Sequence, residues 1–351
     1  MVVEKPSLGP VYGLLAAVLF GISTPFAKIL LDHTGPVMLA GLLYLGSGLG
    51  LGAWRMFTRA TRGKAQGEAG LGRGDWPWLG GAILCGGVLA PVLLLFGLRE
   101  MDASSGSLLL NLEAVFTALL AWFLFRENFD RRIFAGMVAI LAGAVLLAGG
   151  SRGLSWSPGA FLIAGACLGW AFDNNLTRRV AAADPVQIAG LKGAVAGVVN
   201  LILAFALGER FPSAAVIGAA LVLGLVCYGV SLTCFVLALR HLGTARTGAY
   251  FSTAPFVGAG LSLLIFWEMP GGMFWLAGGL MALGVWWHLS EHHEHVHTHE
   301  PLEHSHRHVH DDHHQHSHQP GDPPGEPHVH HHVHTRLTHR HPHYPDIHHR
   351  H

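Results

Sequence analysis

Charge is what this sequence has least of. Only 13% of its 351 residues are Asp, Glu, Lys or Arg, about half the roughly 25% of a soluble domain. The charges that are present sit in short clusters between long apolar runs. Cysteine is almost as scarce. Cys85, Cys167, Cys227 and Cys234 all lie in apolar runs, with no CxxC or zinc-ribbon spacing. That excludes a disulfide framework as the organising device, and the four read as small packing residues. No nucleophile–His–Asp set, no HExxH and no nucleotide loop is present, so no enzyme, no required cofactor and no nucleic-acid partner is expected.

What is abundant is apolar. Hydrophobic residues make up 51% of the chain, the mean hydropathy is +0.40, and there are 46 glycines. Only helices or closed barrels satisfy a backbone in lipid, and glycine suits close helix–helix approach there. The expected class is all-α: a polytopic protein of the lipid bilayer. The first apolar run is too long for a signal peptide, lacks an A-x-A site and is followed by further spans, so it reads as a membrane helix. About twenty apolar residues cross a bilayer core. Ten such stretches are expected, near 11–31, 37–57, 77–98, 104–125, 132–149, 157–177, 185–207, 215–238, 245–266 and 272–290. The polar, Gly-rich loop from Arg59 to Trp76 reads as a linker. Trp76, Trp78, Trp122, Trp156, Trp286 and Trp287 fall near predicted interfaces, where aromatic belts form.

Lys and Arg in short loops set orientation. One side receives Lys5, Arg55, Arg59, Arg62, Lys64, Arg73, Arg126, Arg131, Arg132, Arg178, Arg179, Arg240 and Arg246, and the other only Arg99, Arg152 and Arg210. The first side, which also holds both termini, is expected to be the cytoplasm, and the membrane the cytoplasmic (inner) one.

The stretch LREMDASSGSLLLNLEAVFTALLAWFLFRE, Leu98 to Glu127, returns as LRHLGTARTGAYFSTAPFVGAGLSLLIFWE, Leu239 to Glu268. A gapless shift of 141 aligns Leu98 with Leu239, Arg99 with Arg240, Phe125 with Phe266 and Glu127 with Glu268. More loosely, LFGISTPFAKIL matches LGWAFDNNLTRR, with Gly21 opposite Gly169. The chain therefore reads as two copies of one five-helix unit, residues 1–150 and 151–290, followed by a tail, 291–351. Five is odd, so the second copy enters the membrane from the opposite side. Inverted repeats are an architecture of secondary transporters, with a site near the midplane where the halves meet.

These residues resemble the EamA-type members of the drug/metabolite transporter superfamily over roughly residues 10–290. The resemblance implies ten helices, cytoplasmic termini and transport of a small solute, usually export. Members often carry Pro after the glutamate of the fourth span. Here that position is Ala114, whereas the second copy keeps Pro255 and has Ala254 opposite Glu113. The two features are split between the copies, which implies different jobs for the two halves.

Ionisable groups inside a membrane are costly and face a cavity or a partner. Glu113 lies nine residues into the fourth span, about 14 Å at 1.5 Å per residue, near the midplane. Gly106, Glu113 and Thr117 share its face. Two readings stand: a binding or proton-coupling carboxylate in a central cavity, or a hydrogen-bonded packing strut between helices. Asp173, beside Asn174 and Asn175, and Lys192 fall in the cytoplasmic third of consecutive helices. They are expected to form an ion pair, either a cytoplasmic gate or a structural neutralisation. Lys28 is placed to snorkel. Asn111, Asn200, Trp170 and Tyr250 are further candidates for lining a pathway, with packing as the plain alternative.

After Ser290 the composition changes: residues 291–351 hold 24 of the 27 histidines. They recur at alternate positions, at His293, His295, His297 and His299, then His304, His306, His308 and His310, then His314, His316 and His318. Beyond a Pro/Gly hinge they resume at His328, His330, His332 and His334. Such a segment buries no core and is expected to be disordered without metal. Neutral imidazoles on one side of an extended chain are ligands for Zn, Ni or Co. A low-complexity, pH-sensitive tail with incidental metal affinity is the plain alternative. Three functions follow in order: an exporter of a small solute with the tail as regulator or metal buffer; a divalent-metal efflux transporter fed by the tail; and a membrane-anchored metal store. The substrate is a small molecule or ion, and the assembly a monomer or homodimer.

Overall fold

The computed structural model describes residues 8–62, 70–125, 131–149 and 157–290, and in the tail the segments 294–299, 302–308, 328–334 and 337–342. Helix α1 (Gly9–Leu31) runs 23 residues through Pro25, about 34 Å at 1.5 Å per residue. Helix α2 (Pro36–Arg62) returns beside it. The third span is not one regular helix: α3 (Trp76–Ala82) and α4 (Ala90–Arg99) are joined by a π-helical turn, Ile83–Leu89. The fourth is broken into α5 (Ala103–Leu109) and α6 (Leu112–Phe125). Helix α7 (Arg131–Gly149) ends the first half.

The second half repeats this pattern of defects. Helices α8 (Pro158–Val180) and α9 (Pro185–Ala206) are regular. A second π-helical turn, Gly224–Val230, joins α10 (Ala214–Leu223) to α11 (Ser231–Phe251). Helix α12 (Ala254–Phe266) follows a break, and α13 (Gly272–Leu289) closes the bundle. The π turns begin at Ile83 and Gly224, 141 residues apart, the shift that aligns the sequence copies. The breaks at Leu110–Asn111 and Ser252–Thr253 fall within one residue of the same shift.

Packing pairs the halves across a pseudo-two-fold axis. Helix α2 lies along α9, α1 along α11, α8 along α4, α13 along α7, and α5 along α12. The α2–α9 pair is the tightest because glycines face each other: a Cβ on Gly193 would stand 2.8 Å from Ser47 Oγ and from the Tyr44 carbonyl oxygen. Each end is tied. Glu209 accepts hydrogen bonds from the backbone N–H of Met38 at 2.6 Å and Val37 at 3.4 Å, filling orphan donors at the start of α2. Asp184 caps α9 through Val186 and Gln187 and pairs with Arg55 Nε at 3.1 Å. The surface that this packing leaves outside is apolar, with Leu264, Phe123, Val222 and Ile202 each more than half exposed, as lipid-facing side chains are.

Three expectations change. Nine described segments are long and apolar enough to cross a membrane. The sixth span, α8, has the length, but its Asp173–Asn175 and Arg178–Arg179 lower its hydropathy. The expected loop between spans eight and nine is helical, because α11 continues to Phe251; no Asp or Pro stands there to break it. Lys28 does not snorkel: its ammonium donates to the carbonyls of Leu98 and Met101, covering acceptors left open at the end of α4. In the tail, the described segments are placed as paired strands. β1 (Glu294–His299) runs antiparallel to β4 (Leu337–Pro342), and β2 (Leu302–His308) to β3 (His328–His334). The two-residue alternation of the histidines is the strand period. His293, His310, His314, His316 and His318 lie outside the described residues.

Candidate functional site

The break in the fourth span exists because the chain leaves the α pattern for one turn. Leu110 and Asn111 N–H groups bond to Ser107 and Leu108, and Glu113 and Ala114 bond to Leu110 and Asn111, all three residues back. Asn111 Nδ2 adds a bond to the Leu108 carbonyl at 3.0 Å. The tightened turn sets Glu113 in the first turn of α6, 8% exposed, and faces it to α8. There Asn174 Nδ2 donates to Glu113 Oε1 at 2.8 Å and to Thr117 Oγ1 at 3.3 Å. Among the described residues, Glu113 Oε2 takes no hydrogen bond from the protein.

One residue earlier on α8, Asp173 faces another neighbour. Lys192 Nζ donates to both its carboxylate oxygens, at 2.5 and 2.7 Å, and lies 3.4 Å from Thr177 Oγ1. Thr177 in turn donates to Asp173 Oδ1 at 2.8 Å. Lys192 is 1% exposed, so the pair is held largely by mutual satisfaction. The π turn of the third span makes room for it. A side chain on Gly86 would overlap the Asp173 carboxylate. The turn also shifts carbonyls out of the helical ladder. Gly86 O accepts from Tyr44 OH at 2.6 Å and Trp170 Nε1 at 3.0 Å, and Gly87 O from Asn200 Nδ2 at 3.0 Å. π turns of this kind recur at functional sites.

These groups border a cavity of about 60 Å³. Its polar lining includes Glu113, Asp173, Asn174 and Lys192 together with the hydroxyls of Ser47, Ser231 and Tyr228, and aromatic rings form much of the rest. Phe20 meets Trp170 edge-on at 5.6 Å, Tyr228 at 5.7 Å and Phe251 at 5.3 Å between centroids. Tyr44 meets Tyr228 at 5.4 Å. A second, smaller cavity of about 10 Å³ lies between the fourth and ninth spans, lined by Thr117, Ser252 and Pro255 among others. Phe20, Glu113, Asn174 and Phe251 line both.

Sequence reasoning placed Glu113, Thr117, Trp170 and Pro255 where these cavities are, and paired Asp173 with Lys192. Three candidates lie elsewhere. Asn111 is spent on the helix break, Asn200 on Gly87, and Tyr250 packs on Gly13 of α1, outside both cavities. Tyr44, Gly86, Phe20, Phe251 and the Asn174–Glu113 bond were missed. A lone Tyr deep in the second span and the Gly86-Gly87 pair were the signals available. Among the described residues, no group of three or more His, Cys, Asp or Glu is placed to hold a metal ion.

The model of the EamA-like transporter family matches residues 7–149 and again 157–290. An uncharacterized transporter of Methanothermobacter thermautotrophicus is 31% identical over 294 residues, covering 77% of this chain and 82% of that protein. The probable 4-amino-4-deoxy-L-arabinose-phosphoundecaprenol flippase subunit ArnE of Pseudomonas aeruginosa UCBPP-PA14 is 36% identical over 116 residues, 32% of this chain and 93% of that protein. Among solved structures, one crystal structure superposes with a TM-score of 0.62 at 19% identity, covering 81% of this chain and 96% of the other. At that identity the likeness is one of fold.

Proposed function

Because the chain belongs to the EamA-like transporter family, we propose that it is a secondary transporter exporting a small solute across the cytoplasmic membrane, with the solute held at Glu113. It is a multi-pass membrane protein of a family of transporters. One observation carries the choice of site: Glu113 is the carboxyl shared by both cavities, with one oxygen bonded to Asn174 and the other taking no hydrogen bond among the described residues. A packing strut would have its hydrogen-bonding capacity filled on both sides. In this reading Glu113 is the binding or proton-coupling group, Trp170, Thr117 and Pro255 line the path, and the Asp173–Lys192 pair is a gate post on the side of the termini. That side is the cytoplasm, on the strength of its Lys and Arg.

The flippase relatives match only about a third of this chain, 116 residues in the Pseudomonas aeruginosa UCBPP-PA14 protein, so their lipid-linked amino sugar is not carried over. The tail is given the role of a Zn, Ni or Co buffer. What supports this is the alternate spacing, together with a register that sets His304 opposite His332 and His306 opposite His330. A bare-metal path through the spans lacks a convergent ligand set.

The test uses cells carrying the full chain, Glu113→Gln, and a chain ending at Ser290. Accumulation of a solute panel that includes Zn, Ni and Co is measured. Expected is export of an organic solute that Glu113→Gln abolishes and the truncation retains. Export of every responsive solute unchanged by Glu113→Gln would remove Glu113 from the path. Metal export lost on truncation would transfer the function to metal.

A further inference from the structure

On the transporter reading, on which this inference rests, the main cavity is too small for its task. Its volume of about 60 Å³ is well below the roughly 300–1,000 Å³ of pockets that hold drug-sized ligands. A wall has to move to admit an organic solute. The hydrogen bonds between spans show which walls are fixed to one another.

Spans two, three, six and seven are joined through the membrane interior. In span three, Gly86 O accepts from Tyr44 of α2 and Trp170 of α8, and Gly87 O from Asn200 of α9. Asp173 of α8 holds Lys192 of α9 with both carboxylate oxygens. Span four belongs to the same body, since Asn174 of α8 donates to Glu113 and Thr117. A buried polar group that loses its partner finds no water to replace it, so this body resists bending.

Spans one and eight are joined to each other. Ser231 of α11 donates to Ala16 O of α1 at 2.8 Å, and the Tyr228 hydroxyl pairs with Ser23. Among the described residues, no hydrogen bond in the membrane interior ties either span to the first body. They meet it through rings, Phe20 on Trp170 and Tyr228 on Tyr44, and through the glycines of the second π turn. A side chain on Gly224 would overlap the Leu43 carbonyl of α2, and one on Gly229 would stand 3.1 Å from Ser47 Oγ. Such contacts are van der Waals and have no hydrogen-bond geometry to break. The bonds that do cross the seam sit at its two ends: Lys28 to Leu98 and Met101, and Arg240 to Ala181 and Ala183. The cavity lies along the seam. Span three gives no side chain to its lining, whereas span eight gives Cys227, Tyr228, Ser231, Leu232 and Phe235.

The repeat alone would treat spans three and eight alike. The difference lies in the central pair, where α2 and α9 start at Pro36 and Pro185. Counted from those prolines, Tyr44 corresponds to Gly193 and Asn200 to Leu51, and neither counterpart carries a side-chain donor. We propose that solute access is an asymmetric swing: spans one and eight move as one unit over the α2–α9 pair, while their repeat counterparts, spans six and three, stay fixed to it. Tyr44 and Asn200 are the positioning residues that fix span three, and Lys28 and Arg240 latch the moving unit at either end.

The test is distance measurement between paired spin labels by electron spin resonance, on the full chain in lipid nanodiscs with Cys85, Cys167, Cys227 and Cys234 changed to Ala. Gly52 of α2, Gly80 of span three and Gly218 of span eight take the labels as cysteines, since an added side chain meets open space at each. Lys28→Met is expected to broaden the 52–218 distance distribution by roughly twofold or more and to leave 52–80 narrow, because releasing a latch changes only the equilibrium it holds. Arg240→Met is expected to do the same from the other end, and replaces Lys28→Met if that variant does not fold. Tyr44→Phe combined with Asn200→Leu is expected to broaden 52–80. Thermal unfolding of each chain separates a swing from loss of the fold. Equal broadening of both distances by a latch variant, which is a two-fold rocking of the repeat, overturns the proposal, and so do distributions that neither latch variant changes. A 52–80 distance still narrow without Tyr44 and Asn200 overturns their role. Solute flux in proteoliposomes alongside equal broadening leaves the transporter reading standing. A selective swing with no flux of any solute supports the proposal and counts against transport.

Discussion

Asp173 and Lys192 show what a buried ion pair commits a membrane helix to. Each is more than nine-tenths buried, and each fills the other's valences with help from Thr177. Removing one partner leaves a naked charge, a loss of about 3–5 kcal/mol, while replacing both with apolar groups is often near neutral. Lys192→Met is therefore expected to lower the unfolding temperature sharply in detergent, and Lys192→Met with Asp173→Leu to recover most of it. A double variant as unstable as the single one would show that the pair does more than neutralise charge. The pair was legible in the sequence because two opposite charges on consecutive apolar helices have nowhere else to go. The Asn174–Glu113 bond was not legible. It depends on Glu113 entering α6 after a tightened turn, and a turn closed by bonds three residues back at Leu110 and Asn111 leaves no composition signal. Gly86 was hidden for a similar reason: its role is the space it leaves for Asp173, and in a chain with 46 glycines one such position does not stand out.

At the scale of elements, the repeat conserves defects as well as helices. The shift of 141 came from aligned side chains in spans four and nine, yet it also relates the π turns of spans three and eight. The periodicity of apolar residues located the spans, since a bilayer fixes their length. It could not locate the π turns, because one extra residue per turn changes phase without changing hydropathy. A π turn arises from such an insertion, so deleting Cys85 should restore a plain α-helix. The segments on either side keep their faces, because the wide turn had absorbed the extra residue. Gly86 O would return to the helical ladder, and Tyr44 OH and Trp170 Nε1 would lose the acceptor they share. The expected outcome is a chain that still inserts and resists thermal unfolding in detergent, but loses export of the solute that the unaltered chain carries. Retained export would mean that the π turn is not what shapes the cavity wall. The discontinuous fourth and ninth spans follow the same logic: Pro255 in the first turn of α12 announced its break, and Asn111 did not.

At the scale of the molecule, two cation-to-carbonyl ties close opposite ends of the bundle. Lys28 holds the ends of α1 and α4 together through Leu98 and Met101, on the face away from the termini. Arg240 holds α11 to the end of α8 through the carbonyls of Ala181 at 3.1 Å and Ala183 at 3.0 Å, on the face that carries them. The donors come from spans one and eight, which lie side by side and exchange places with spans six and three under the repeat. Alternating access requires that each end open while the other stays shut, and ligands or mutations shift such an equilibrium only by stabilising one state over the other. Loss of a tie should therefore favour opening at its own end. Cys227 lines the main cavity and supplies a native reporter. With Cys85, Cys167 and Cys234 changed to Ala, a membrane-impermeant maleimide added to one side of sealed vesicles reads access to it. Lys28→Met is expected to raise labelling from the face opposite the termini, and Arg240→Met from the face bearing them. Equal gains from one side for both variants would place the two ties at a single gate and remove the inverted repeat's claim to two.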